Sequence, residues 1–421
     1  MSSQPVVFTT RTSYTIPAQT YMLPSSWRRF QLSQLINKVL ALLQPVPFDF
    51  LVRGELLRGS LADWCTERGV GEEETVEIEY IEATIPPQHA ATLPHDDWVA
   101  SISCTQSDQF VTASYDGSVR VFTASQELVH SFSPHSAPVL SATLVSQDLI
   151  ASASHDRTAR LTRLDDGRTD IFASLTLHSA PVASVVASID GSRLLTAGWD
   201  GLIGIWDTNE PEADEVPADT RDEKEHSKKR RRIADNEPRP KRKAPVDVMK
   251  GHTQRVSQAV FVPGSSSEAY SCSFDSTIKA WDVRTAVSTR SIATSEKPFT
   301  ALTFASPSTV VAASSDRTLN LLDTRSANAV VEPGFGHPSL PTSLSAHPSD
   351  GVRVASGGTD GVVRIWDVRS PKTAVSSFEL WRKEGKKVLS VSWGAAGVIG
   401  VAGEGGVEIW RLREPAAAGV Q

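Results

Sequence analysis

Hydrophobic and polar positions follow two rhythms along this chain. In the first eighty residues Leu32, Leu35, Ile36, Val39, Leu40 and Leu43 fall at i, i+3, i+4, i+7, i+8 and i+11, which predicts a helix with one apolar face. Around it lie short β-like runs. Val6-Val7-Phe8 and Tyr14-Thr15-Ile16 predict a hairpin, and Phe48 to Val52 a strand that turns at Arg53-Gly54-Glu55. Ser60 can cap a short helix through Asp63, with Gly69 just past its end. Thr75 to Ile81 alternates like a final strand, with Val76, Ile78 and Tyr80 on one face. From about residue 95 onward the chain reads instead as short strands with Gly and Asp turns.

That second rhythm is a repeat. A small residue, a variable one, Asp and then an alternating strand recur at Asp116, Asp156, Asp200, Asp275, Asp316 and Asp360. Six residues after most of these comes Phe122, Trp206, Trp281, Leu322 or Trp366, and Trp206, Trp281 and Trp366 are each followed by Asp. The Asp-to-Asp steps are 40, 44, 75, 41 and 44 residues. Removing the charged tract of 35 residues at 209–243 brings the outlier to 40, so the tract is an insertion into one repeat and not a linker. A seventh copy ends at Trp410, with Glu404 in the place of the Asp. Seven units of 40–45 residues indicate a seven-bladed β-propeller, and the wording resembles the WD-repeat family over about three quarters of the chain. Blades five and seven carry the weaker signatures.

His135, His178 and His252 each stand four residues before an apolar strand, at Val139, Val182 and Val256. The pairs His135 with Asp156, His178 with Asp200 and His252 with Asp275 could suggest catalysis. Their recurrence at one period points instead to hydrogen bonds that lock the blades, with Asp116, Asp316 and Asp360 in the same role.

Composition narrows the class. Of 421 residues 40% are hydrophobic and 22% charged, ordinary for a globular protein and too apolar for a mostly disordered one. No run approaches the roughly 18 apolar residues of a membrane-spanning helix, so no membrane partner is expected. Met1-Ser2-Ser3-Gln4-Pro5 lacks the charged and apolar regions of a secretory signal. Cys65, Cys104 and Cys272 stand singly, which excludes a disulfide framework or a zinc ribbon and suits a reducing compartment. None of the five asparagines begins a glycosylation sequon. GxxxxGK[ST], GxSxG and HExxH are absent, and Gly385-Lys386-Lys387 lacks both loop and hydroxyl, so no enzyme is expected.

Net charge is −7, unevenly spread. The tract is acidic first (Glu210, Glu212, Asp214, Glu215, Asp219) and then basic, so it is expected to be a disordered loop over 209–243. Lys228-Lys229-Arg230-Arg231-Arg232 and Lys241-Arg242-Lys243, eight residues apart, resemble a bipartite nuclear-import signal, with an importin as its reader.

Hairpin, helix, strand, short helix, strand is the order of the ubiquitin-like β-grasp. Phe50-Leu51-Val52-Arg53-Gly54-Glu55-Leu56-Leu57 followed by Ser60-Leu61 and Asp63-Trp64 looks like the second half of ubiquitin. No Gly-Gly tail follows, since the chain runs through Ile85-Pro86-Pro87 into the propeller, so a docking module is expected. The tail after Trp410 is poor strand material, so Ala83 to Pro86 is expected to complete blade seven. The domains would be 1–82, ubiquitin-like, and 83–421, propeller.

Pro45-Val46-Pro47-Phe48-Asp49-Phe50-Leu51, Gly54-Glu55-Leu56-Leu57-Arg58, Ile85-Pro86-Pro87 and Asp97-Trp98-Val99 resemble the Ytm family of eukaryotic ribosome-biogenesis proteins. The resemblance implies a non-enzymatic assembly factor of the large (60S) subunit, needed for pre-rRNA processing and working in nucleus, nucleolus and nucleoplasm. It implies a complex with a second WD-repeat protein and a pescadillo-type BRCT protein on the pre-60S particle. It further implies that the ubiquitin-like (NLE) domain docks on the metal-ion-dependent adhesion site (MIDAS) of a midasin-type AAA ATPase, which removes the factor. No cofactor of its own is implied; the partner's Mg²⁺ would take a carboxylate from this chain. The family's acidic position falls on Glu73 in Gly71-Glu72-Glu73-Glu74, with Glu74 as fallback. Trp281-Asp282-Val283-Arg284 and Trp366-Asp367-Val368-Arg369 also fit the WDxR wording of cullin-RING substrate receptors. Arg after Trp-Asp is equally common as strand-end pairing chemistry, and co-purification separates the two.

Overall fold

β1 (Ser3–Thr9) and β2 (Thr20–Pro24) form an antiparallel hairpin in register Val7 to Thr20. α1 (Arg29–Val39), β3 (Phe48–Val52), β4 (Glu55–Leu56), α2 (Leu61–Arg68) and β5 (Val76–Glu82) follow. The computed structural model describes all residues except 1–2, 11, 13, 43–44, 72, 84–86, 105–108, 166, 217–238, 294–295, 327–329, 371–372 and 413–421. Two compact units result, one built on the first 87 residues and one on the sheets that follow.

The first unit carries a β-grasp. Its sheet runs β2-β1-β5-β3-β4, with β5 parallel to β1 and antiparallel to β3. Val6, Leu32, Ile36, Phe48, Phe50, Val76, Ile78 and Tyr80 are fully buried in one core, where α1 covers the sheet. The apolar stripe of α1 is narrower than its spacing suggests. Val39 is 38% exposed at the helix end, and Leu43 lies outside the described residues.

One expectation fails here. Tyr14 to Ile16 is not the second hairpin strand; Thr20–Pro24 is. Tyr14 and Ile16 instead pack on the core, and the Tyr80 hydroxyl accepts the Ile16 amide at 3.1 Å while donating to the Tyr14 carbonyl. A buried phenol needs partners, and this loop supplies them.

In the second unit seven sheets form the blades of the propeller. Their first strands are Val99–Ser103, Val139–Ser146, Val182–Ala187, Val256–Phe261, Phe299–Ser306, Pro341–Ala346 and Val388–Trp393. Blade five is completed by Thr309–Ser314, Thr318–Asp323 and Val330–Gly336. Blade seven has Val398–Gly403 and Gly406–Arg411, and its outer strand is β6 (Gln88–Leu93), in register Val407 to Leu93 and Arg411 to Gln88. The closing strand thus precedes the propeller in sequence, but it is not Ala83 to Pro86. Residues 84–86 lie outside the described residues, and Leu93 is the one whose side chain enters the core between blades seven and one.

Candidate functional site

Glu73 sits in a turn between two anchors. On one side α2 ends at Gly69, whose φ of +65° is the left-handed conformation glycine tolerates, and the Val70 amide donates to the Cys65 carbonyl at 2.9 Å. On the other side Val76 starts β5 fully buried. Between them the turn closes through the Glu74 amide to the Gly71 carbonyl, 3.2 Å. Gln4 of β1, itself 2% exposed, donates its side-chain amide to the carbonyls of Gly71 (3.1 Å) and Glu74 (2.6 Å). The backbone of the turn is therefore fixed before anything binds.

Its two described carboxylates differ. Glu74 is taken by the guanidinium of Arg53. Glu73 is exposed, and no ion pair to it occurs among the described residues. Glu72 lies outside the described residues. A monodentate carboxylate on a braced turn can fill one open position of a hard divalent cation held by another protein.

In the blades, three of the turn aspartates meet their histidines. Nδ1 of His135 lies 2.8 Å from Asp156, that of His178 3.1 Å from Asp200, and that of His252 2.8 Å from Asp275. Behind His252 the chain continues. Trp281 Nε1 donates to Ser271 Oγ at 2.8 Å, and Ser271 faces His252 Nε2 at 2.7 Å. Ser271, already accepting from Trp281, donates to Nε2, so the proton of the neutral ring sits on Nδ1 and points at Asp275. Trp206, Thr196, His178 and Asp200 repeat the arrangement. Burial favours the neutral His252 ring, against the pull of Asp275. Each such chain joins the inner strands of a blade to its loop, and none opens toward a reacting group.

Asp116 and Asp316 hold their own turns without a histidine. Asp116 accepts the Ser118 amide (2.7 Å) and Arg120 (3.1 Å), and Asp316 the Thr318 amide (3.0 Å). Two blade histidines went unread in the sequence. His95 bonds Thr112 Oγ1 at 2.8 Å and the Leu93 carbonyl at 3.1 Å; His337 bonds Ser356 Oγ at 3.1 Å. They stand 21 and 23 residues before Asp116 and Asp360, the spacing of the three that were read. In blade seven Glu404 substitutes for the Asp by accepting the Lys387 amide at 3.1 Å.

The charged insertion departs from expectation at both ends. Lys241–Lys243 is a strand, paired parallel to Arg168–Leu175 at the outer edge of blade two. Lys243 is 2% exposed, its ammonium held by the Asp207 carboxylate and the Asn209 carbonyl. Lys241 binds Glu210 at 3.2 Å, and the Arg242 amide donates to Asp214 at 2.7 Å. The acidic half of the tract thus clasps the end of its basic half. The segment is not structureless over 209–243, and the second basic cluster is not free for an importin groove. Lys228, Lys229, Arg230, Arg231 and Arg232 lie outside the described residues.

The arginines of the WDxR stretches turn inward on their own motif. Arg369 pairs with Asp367 at 2.6 Å, as Arg325 does with Asp323 at 3.1 Å. The Asp282 carboxylate accepts the Arg284 amide at 2.9 Å.

Comparison with known proteins adds to this geometry. Residues 5–65 match the NLE (NUC135) domain family. Residues 88–123, 126–162, 170–207, 243–282 and 333–367 match the family of the WD domain, G-beta repeat. The Ribosome biogenesis protein YTM1 of Laccaria bicolor is 49% identical over 98% of this chain and 95% of its own length. That of Coprinopsis cinerea is 44% identical over 98% and 95%, and that of Saccharomyces cerevisiae S288c 33% over 88% of each.

Proposed function

The chain belongs to the YTM1 family of ribosome biogenesis proteins, and from that premise we propose that it is a non-enzymatic assembly factor of the 60S subunit, removed from the pre-60S particle through Glu73. Its role is in ribosome biogenesis. The finer reading is that the propeller joins a second WD-repeat protein and, in the same complex, a pescadillo-type BRCT protein. The β-grasp then offers Glu73 to the Mg²⁺ in the MIDAS of a midasin-type AAA ATPase. Work takes place in the nucleus, nucleolus and nucleoplasm, with Lys228–Arg232 alone as the import signal.

The observation that carries this reading is the unlike pair in the 71–75 turn. Glu74 is engaged by Arg53, while Glu73 stands exposed on a backbone fixed by Gln4. A preformed ligand loses little conformational entropy on binding, which favours a carboxylate on a braced turn over one on a loose loop.

The test is a pull-down of the ATPase's MIDAS domain with the full chain, in Mg²⁺ or in chelator. Binding is expected to need the metal, and to drop at least tenfold with Glu73→Ala. Glu73→Asp, which draws the oxygen back by one methylene, should weaken it as well. Glu74→Gln should leave binding near wild type, and each variant should still assemble with the propeller's partners. Capture indifferent to both chelator and Glu73 would remove this carboxylate from the interaction.

A further inference from the structure

The residue just before each turn Asp gives the propeller an unequal face. It is Tyr115, His155, Trp199 and Phe274 in blades one to four, but Ser315, Thr359 and Gly403 in blades five to seven. Tyr115, Trp199 and Phe274 border a cavity of about 320 Å³. Its wall takes the second residue of the first strand from every blade, from Ala100 in blade one to Leu389 in blade seven, so the cavity lies on the propeller axis. Leu140, Leu340 and Pro341 make part of that wall apolar.

Arg255 is the one charged residue in the lining. Its guanidinium carbon lies 3.3 Å from the centre of the Phe274 ring and 5.4 Å from that of Trp199. Stacking occupies the faces of a guanidinium and leaves its five N–H donors, which lie in its plane, to find acceptors. Among the described residues none is paired with them. Lys387, the only other charged residue just before a first strand, is held by Glu404 at 3.6 Å. Burial pulls Arg255 below the usual guanidinium value, the direction of a cation that has lost water and gained no counter-charge.

A planar, half-buried guanidinium at the rim of an apolar cavity fits a carboxylate with an aliphatic neighbour. A single cation does not fit a nucleic-acid backbone, whose binding rests on several phosphates neutralised together. We propose that the axial cavity receives a protein segment carrying Asp or Glu beside an aliphatic residue, the carboxylate bound bidentately by Arg255 and the aliphatic side chain filling the cavity.

The experiment pans a display library of random 12-residue peptides on the full chain, then measures recovered peptides by fluorescence anisotropy. Enrichment of Asp or Glu next to Leu, Ile, Val or Met is expected. Binding should fall at least tenfold when Arg255 becomes Gln or when the peptide's acid becomes its amide, and the two changes together should cost little more than one. Leu340→Trp, which fills the cavity and leaves Arg255 in place, should also block binding, so a folding defect in one variant does not decide the matter. Thermal unfolding of each variant within about 3 °C of wild type is the folding control. No acidic enrichment, equal binding by Arg255→Gln, or displacement of the peptide by a 12-nucleotide oligouridylate that binds more tightly would overturn the proposal.

Discussion

Asp156 is pulled in two directions. Burial alone would raise its pKa, but hydrogen bonds from His135 and Thr158 outweigh that and hold it at about 2, below the usual 3.8. Asp200 and Asp275 are lowered in the same way. A depressed carboxylate stabilises the fold fully above its unfolded value and loses that contribution as pH falls through its folded one. The window is therefore from about pH 4 down to about 2. His252 acts earlier: burial favours its neutral form, so below about pH 6.5 the unfolded chain takes up a proton that the folded chain resists. Both effects have one sign, and thermal stability should decline on acidification in two stages. Asp156→Asn should lower the melting temperature at pH 7 and flatten the second stage. A series of melting curves from pH 8 to pH 2.5 checks this, and curves for variant and wild type that stay parallel would contradict it. At neutral pH His135→Ala should cost about 1–3 kcal/mol, the usual loss when a buried polar group is left without its partner.

At the scale of the element, local signals were read where the physics is local. Ser60 accepts the Asp63 amide at 3.1 Å and Asp63 returns the bond to the Ser60 amide at 2.9 Å, a capping box visible in four letters. The strand at Lys241–Lys243 was not visible. Its composition is that of a solvated charge run, and its pairing partners, Ala173, Ser174 and Leu175, lie in another blade. What makes the strand possible is Asp207, which gives a buried ammonium its counter-charge. Alanine at Lys243 removes that pair from a buried place, so Lys243→Ala should destabilise the chain by about 3 kcal/mol, while Lys243→Met, which refills the volume, should cost less. Denaturant titration of the two variants distinguishes them. Equal and negligible losses would mean that the clasp contributes nothing. The same reasoning applies to Gln4: Gln4→Ala keeps Glu73 but frees the backbone that carries it. Metal-dependent capture of the ATPase domain should then weaken severalfold with the carboxylate intact, and unchanged capture would show that bracing the turn is irrelevant.

For the whole molecule, the repeat made the number of blades legible because each blade repeats its own local pattern of turn Asp and alternating strand. The closure was legible only in kind, since β6 and its partner Gly406–Arg411 are far apart in sequence and neither specifies the other's register. The structure fixes that register through Leu93, 1% exposed, beside Val407 and Ile409, which are as deeply buried. Two truncations differing by seven residues should therefore behave very differently. A chain lacking residues 1–87 keeps β6 and should unfold cooperatively as a monomer. A chain lacking residues 1–94 loses the apolar burial of Leu93 and the outer ladder of blade seven, on the order of 5 kcal/mol from the hydrogen bonds and burial together. It also exposes Gly406–Arg411 as an unpaired edge, which invites association between chains. Light scattering and thermal unfolding compare the two. Adding a peptide of residues 87–96 to the shorter chain should restore part of the lost stability by supplying the strand in trans. Equal melting temperatures for both truncations, with no response to the peptide, would mean that the ring holds without its closing strand.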